Sequence, residues 1–388
     1  MTKKKTVRNQ LTPEHVHDFV NELLGEDLHA MRVLSLANAV TGAIHAAALT
    51  VHAIGAALAM SNDLTRKHAV KQVDRMLSNL GIDVEKMFVP WASFVIGARK
   101  KLRVALDWTV FDKDKHVTLA AYLITDHGRA TPLIWKTFSK ATLKGMQNSY
   151  EDEVLELLHR CIPDDVAITI IADRGFGSAE RYAHLELLGF DYIIRFRGGV
   201  KVTDVDGCTL QASEWVPPNG RAKRLNDATV TGAKASVPVI VCVKQKKMKE
   251  AWCLASNLKD LKTSEIVNLY GRRFTIEETF RDVKDQRFGM GLSATSIKSA
   301  ARRDRLLFVA AMAHALLTLL GAAGEAVGLD RTLKTNTSKK RTLSLYRQGL
   351  FWYGALPNMG EAKLRKLMSA YANLLREQSM FTKVFGAI

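Results

Sequence analysis

YGRRFTIEETFRDVK, Tyr270 to Lys284, puts one carboxylate among basic and aromatic residues on a single stripe if the segment is one helix. At about 100° per residue, Tyr270, Arg273, Glu277 and Lys284 fall within roughly 60° of arc. Arg281 lies close to that stripe, whereas Glu278 is rotated about 100° from Glu277 and faces elsewhere. Leu269, Ile276, Phe280 and Val283 make a second, apolar stripe, which would pack the helix on a core and hold the polar stripe in a fixed direction. The same pattern also suits a solvated amphipathic helix with ion pairs between turns. The stretch therefore takes its meaning from its surroundings.

Upstream, from about Lys101, the hydrophobic period is that of strands. RVALDWTVFD, HVTLAAYLIT and RATPLIWKTF, joined by short polar connections, predict a three-strand antiparallel meander. A helix over about Ser149 to Arg160 is closed by Pro163, and VAITIIADRGFG then reads as a central strand buried on both faces, ending at Asp173. A helix over Ala179 to Leu188, stopped by Gly189, leads to a fifth strand, DYIIRFRGG. The order βββαβαβ, antiparallel first and parallel later, is that of a ribonuclease-H-like mixed α/β sheet. Residues 198–257, with Gly/Pro turns, lysines and the clear strands VPVIVCVKQ and AWCLASN, read as a β-rich insertion interrupting that sheet.

The flanks read as helical. Thr12-Pro13-Glu14 is a helix start, and the segment TRKHAVKQVDRMLSNLG repeats Lys67, Lys71 and Arg75 on one face. That face suits phosphate contacts as well as it suits plain solvation. Beyond the Tyr270–Lys284 stretch come a basic patch at Arg302, Arg303 and Arg305, an apolar helix, a polar candidate linker over Lys334 to Lys340, and a terminal helix over about Glu361 to Leu375. The expected organisation is a helical region 1–95 that is a candidate for DNA binding, a catalytic domain of 96–197 and 258–330, the insertion 198–257, and a helical tail 331–388 that could serve dimerisation.

Composition points to the partner. Across 388 residues, 56 Lys+Arg against 39 Asp+Glu leave a net charge of +17, an excess that attracts polyanions by releasing their counterions. The cysteines Cys161, Cys208, Cys242 and Cys253 have neither C-x-x-C spacing nor paired histidines, which argues against a zinc site or a disulfide framework. MTKKK is basic but is followed by polar residues rather than a secretory apolar run, so an intracellular, cytoplasmic protein is expected. Leu34 to Met60 and Leu306 to Gly324 approach a membrane span in length. Their alanines and their histidines, His45, His52 and His314, read instead as buried helices, with no membrane as partner.

Three carboxylates can then be placed. Asp107 sits in the middle of the first strand, where a charge in an apolar run needs a partner or a function, and Asp173 ends the fourth. First and fourth strands are neighbours in such a sheet, so the two acids would lie side by side at the strand ends where ligands bind, and Glu277 would arrive from a helix packed across them. Separately, Asp107 could be a structural aspartate and Asp173 a turn residue. Together with Glu277 they form an all-oxygen set suited to Mg²⁺ or Mn²⁺, two of which can activate an attacking oxygen and stabilise the leaving oxygen of a phosphodiester.

These residues resemble the DDE transposases of bacterial insertion sequences whose signature is Y-x2-R-x3-E-x6-K, matched by Tyr270, Arg273, Glu277 and Lys284. ALDWT resembles the family's first-aspartate motif and ADRGFGS its second, and the likeness extends to the β-rich insertion between Asp173 and Glu277. The resemblance implies Asp107, Asp173 and Glu277 as catalytic metal ligands for two Mg²⁺ ions, with Mn²⁺ as a possible substitute. It implies nicking of element ends and transfer of the freed 3′-hydroxyl strand to target DNA, near the nucleoid and by a dimer assembled on double-stranded DNA. Tyr270, Arg273 and Lys284 would contact phosphates at the cleaved end. Trp252 matches, by context, a Trp that stacks on a flipped base, although a strand-core aromatic fits it equally. A ribonuclease-H-like nuclease without strand transfer and an inert DNA-binding relic remain alternatives.

Overall fold

Pro13 can open a helix because its missing N–H is one of the groups left unpaired at any helix start, and α1 runs Pro13–Leu24. The computed structural model describes residues 11–376 apart from Phe288, so the basic start MTKKK lies outside the described residues. α2 (Ala30–Ala46), α3 (Val51–Ser61), α4 (Arg66–Ser78) and α5 (Val84–Ile96) complete the N-terminal helical layer. α2 and α3 form the first membrane-length segment, but they meet at a bend of 98°, with Ala47 in the left-handed region at the corner. α4 starts at the Thr65 cap and buries Ala69, Val73, Met76 and Leu77, leaving Lys67, Lys71 and Arg75 exposed.

The meander follows as β1 (Lys101–Phe111), β2 (His116–Leu123) and β3 (Thr131–Ser139). α6 (Leu143–Cys161) begins earlier than its periodicity suggests, because a break at Lys144 and Gly145 (φ +90°) joins a short first turn to the regular part. Then come β4 (Ala167–Ala172), α7 (Ala179–Leu187) and β5 (Asp191–Phe196). β1, β4 and β5 are mutually parallel, and β1 pairs antiparallel with β2. This is the ribonuclease-H-like arrangement expected from the element order.

The β-rich segment supplies β6 (Lys201–Thr203), β7 (Thr209–Gln211), β8 (Lys223–Val230), β9 (Ala235–Val243) and β10 (Trp252–Ser256). Far from standing apart, these strands extend the sheet: β10 pairs antiparallel with β5, and the ten-strand order is β3-β2-β1-β4-β5-β10-β9-β8-β6-β7. β5 would otherwise present an open edge to solvent, and β10 covers it.

The Tyr270–Lys284 stretch is two helices, α8 (Thr263–Arg272) and α9 (Thr275–Lys284), and not the single helix expected. The ladder changes partner at the junction: the amides of Arg273 and Ile276 reach back three residues, to Tyr270 and Arg273, and the Thr275 hydroxyl takes the carbonyl of Arg272 at 2.8 Å. The stripe from Arg273 onward survives, while Tyr270 belongs to the preceding helix. Leu269, Ile276 and Val283 are buried, and Phe280 packs 5.5 Å from Tyr122.

α10 (Ala300–Ala326) is long and apolar enough to cross a membrane, yet its apolar window is wholly enclosed by the protein. α11 (Leu345–Ala355) and α12 (Glu361–Arg376) pack on it. The expected basic patch at its start is corrected by the structure. Arg303 is completely buried on Asp114 and over the Phe111 ring at 4.0 Å, Arg305 donates to the carbonyls of Ile82 (2.7 Å) and Leu77 (3.1 Å), and Arg302 pairs with Asp74 at 2.6 Å. These arginines tie α10 to the β1–β2 turn and to the end of α4. Burial strips their water, so each needs the partner it has.

Candidate active site

Asp107 and Asp173 are brought together by strand register. β1 and β4 run in parallel with Leu106 opposite Ala172, so the next residue of each is one of the two aspartates. Alternation along β1 turns Trp108 to the other face, where its indole donates to Glu151 at 3.0 Å; Glu151 is itself buried against Arg181, also at 3.0 Å. Asp107 thereby faces α8 and α9, and α6 supports the strand from behind.

Asp173 heads a tight turn in which its carboxylate accepts from the Gly175 amide at 2.8 Å and its carbonyl from Phe176 at 3.1 Å. Gly177 is required for close approach, since a Cβ there would lie 2.8 Å from the Arg195 carbonyl oxygen on β5. The two glycines of ADRGFG thus shape the turn that presents Asp173.

Between Asp107 and Glu277 lies the guanidinium of Arg273. One nitrogen donates to Asp107 Oδ2 at 3.0 Å and the other to Glu277 Oε1 at 2.8 Å. Arg273 and Asp107 are enclosed, with side-chain exposures of 6% and 16%, while Glu277 at 49% looks into solvent. Burial pushes the Asp107 carboxyl up to about 6; Arg273 opposes the rise, and the nearby Asp173 and Glu277 charges add to it. The guanidinium is thus an incomplete counter-charge for the acids around it. Among the described residues, no three His, Cys, Asp or Glu side chains are grouped closely enough to hold a metal ion. The donors themselves are all carboxylate oxygens, the kind a hard divalent cation prefers.

The other signature residues take different positions. Tyr270 is buried beside Arg273, and burial raises its hydroxyl pKa. Lys284 reaches β1 beyond Asp107, donating to Thr109 Oγ1 at 3.0 Å and the Val110 carbonyl at 2.8 Å, and burial lowers its pKa. Arg281 is drawn off the stripe to Glu278 at 3.0 Å, and Glu278 also lies 3.8 Å from Arg129, which separates it from the three acids. Trp252 is half-buried, edge-on to Tyr270 at 4.8 Å and tilted over Phe274 at 6.1 Å.

Phe274 was not singled out from the sequence. It occupies the α8–α9 junction, 40% exposed beside Trp252, with the Arg273 guanidinium 4.9 Å from its ring centre. An aromatic in the middle of an assumed helix gave no signal; only the break turns it outward. Also missed was Glu250, which joins Arg174, next to Asp173, at 2.9 Å to Arg195 at 2.8 Å.

Residues 143–316 match the family model described as a transposase DDE domain. The match includes Asp173 and the whole Tyr270–Lys284 stretch and begins after Asp107. None of the curated proteins compared with the chain matches it.

Proposed function

We propose that this chain, a transposase by the DDE domain that its residues 143–316 match, nicks DNA at the ends of an insertion sequence and transfers the freed 3′-hydroxyl strand to target DNA. The observation that carries the reading is the Asp107–Arg273–Glu277 bridge beside Asp173, a cluster of acids short of positive charge at the carboxyl ends of parallel strands. Transposases of this family generally use divalent metals. Here Asp107, Asp173 and Glu277 would hold two Mg²⁺ ions, with Mn²⁺ as a substitute. Such ions make water or a 3′-hydroxyl nucleophilic at neutral pH and stabilise the oxygen that leaves phosphorus.

The chain's own residues hold the DNA in this reading. Arg273, which now bridges Asp107 and Glu277, would have to give up at least one of them for those acids to hold a cation, and its planar fork fits a phosphate as well as it fits the acids. Lys284, held to β1 two and three residues beyond Asp107, adds a point charge for the same phosphate backbone. Tyr270 limits the swing of Arg273, and Trp252 with Phe274 offers an aromatic surface to an unstacked base. In this division of labour 96–197 and 258–330 carry the chemistry, 198–257 widens the sheet on which it rests, 1–95 contributes DNA contacts through the exposed face of α4, and α11 and α12 of the tail brace α10. The protein works at the nucleoid, as a dimer formed on double-stranded DNA.

The test is nicking and joining of end-bearing duplexes by single variants. Asp107→Asn, Asp173→Asn and Glu277→Gln are each expected to lower nicking by about a thousandfold or more while gel-shift binding persists. Glu278→Gln is expected to stay within a fewfold of the parent, because Glu278 faces Arg129 and Arg281. Equal losses from Glu277→Gln and Glu278→Gln would remove the basis for assigning Glu277. Cutting without joined product would favour the nuclease reading.

A further inference from the structure

The β9–β10 turn carries a charge cluster that the site described above does not use. Lys244, Lys246, Lys247 and Lys249 are all exposed, and no ion pair involves any of them among the described residues. Four like charges within six residues repel one another and weaken the turn they sit on. The fold gives no internal compensation. The one acid at the turn, Glu250, is engaged by Arg174 and Arg195.

Topology puts this turn at the catalytic end of the sheet. β5 lies parallel to β4 beside Asp173, and Phe196 near the end of β5 pairs with Cys253 on β10. Trp252 pairs with Val243 on β9, so the chain from Lys244 to Ala251 projects past the same strand ends as Asp173. Glu250 then fixes the turn to the Asp173 loop through Arg174. The neighbouring turn before β8 comes to the same edge, with the Lys244 amide donating to the Gly220 carbonyl at 3.3 Å, and it brings exposed Arg221 alongside.

We propose that Lys244, Lys246, Lys247 and Lys249, with Arg221, form a rail for the phosphodiester backbone of duplex DNA as it leaves the active site. The Glu250 clamp holds the rail at a fixed distance from Asp173. Backbone contacts of this kind set the position of the duplex without reading its sequence, and they discharge the repulsion that the free turn carries. The inference rests on the transposase reading of the same site.

The test compares the full-length protein with the quadruple variant Lys244→Gln/Lys246→Gln/Lys247→Gln/Lys249→Gln. End-DNA affinity is measured by fluorescence anisotropy between 50 and 200 mM salt, conditions in which each phosphate contact contributes about 0.9 to the logarithmic salt slope. The variant is expected to lose about 3 from the slope, equally for end and unrelated sequences, while the matching Lys→Arg variant keeps it and thermal unfolding of the Gln variant is no lower than the parent's. Trimming the duplex on one side of the cut should abolish the difference between parent and variant, and trimming the other side should not. An unchanged slope, or a difference indifferent to both trimmings, overturns the rail. In either case the parent's nicking and its loss in Asp107→Asn stand as separate evidence, so failure of the rail is distinct from failure of the transposase reading.

Discussion

Arg273 is where the chemistry of the site is decided residue by residue. A guanidinium that bridges two acids at 3.0 and 2.8 Å stabilises them by itself, and for the same reason it would compete with any cation for their oxygens. Charge-assisted bonds of this kind contribute about 1.5 kcal/mol or more each. Arg273→Gln is therefore expected to raise the affinity of the DNA-free protein for Mn²⁺ by about tenfold, a factor corresponding to one such bond. Titration calorimetry or the loss of the free Mn²⁺ paramagnetic signal reads this without any turnover. The same variant should bind end DNA with a salt slope smaller by about one contact. Weaker Mn²⁺ binding in Arg273→Gln would mean that the guanidinium assembles the acids and does not compete for them.

At the scale of elements, the strand that bears Asp107 is tied to a helix crossing some distance from it. α10 and α11 touch backbone to backbone: a Cβ on Gly321 would lie 1.9 Å from the Leu345 carbonyl oxygen, and one on Gly349 would lie 1.8 Å from that of Leu317. The contact is reciprocal, each glycine meeting the residue four before the other glycine. Neither helix can adjust alone, because α10 is anchored through Arg303 to Asp114 in the turn that follows β1, the strand bearing Asp107. Gly349→Ala is expected to destabilise the protein by about 3 kcal/mol, at the upper end of overpacking costs, as measured by urea unfolding. Gly354→Ala in the same helix meets nothing within 4 Å and should be neutral or stabilising by about 0.5 kcal/mol. Comparable losses from both would show that helix propensity, and not the crossing, governs this region.

The whole molecule is a strongly basic body whose longest apolar helix is already enclosed. The apolar window of α10 is therefore core, and Leu364, Leu367, Met368 and Tyr371 of α12 are likewise buried within the chain. With +17 on each copy, association is opposed until a polyanion neutralises the charge. If the chain joins two element ends as proposed, two sets of Asp107, Asp173 and Glu277 are required, and the expected behaviour is a monomer alone and a two-chain complex on end-bearing DNA. Light scattering of Glu277→Gln with and without DNA checks this. A stable dimer free of DNA at physiological salt would point to an apolar interface instead of DNA-templated assembly.

Much of this architecture was legible before any coordinates. Strand alternation predicted the meander, the continuous apolar run before Asp173 predicted a central strand, and helical spacing separated Glu277 from Glu278, because each of these is a local periodicity written into neighbouring residues. The spacing of Tyr270, Arg273, Glu277 and Lys284 drew attention to one region while being wrong about its shape. One helix was expected where the ladder breaks at Arg273, and that break alone exposes Phe274. What the tertiary structure decided was the partner of each charge. Arg302, Arg303 and Arg305 look like a surface patch in sequence and are consumed by Asp74, Asp114 and backbone carbonyls, whereas Lys244, Lys246, Lys247 and Lys249 look like ordinary turn lysines and, among the described residues, stay without an ion pair at the same end of the sheet as Asp173. Composition counts charges but does not pair them. Pairing depends on which distant segments the sheet register and the helix crossings bring within 3 to 4 Å, and the energy of a charge depends far more on that neighbour and on burial than on its place in the chain.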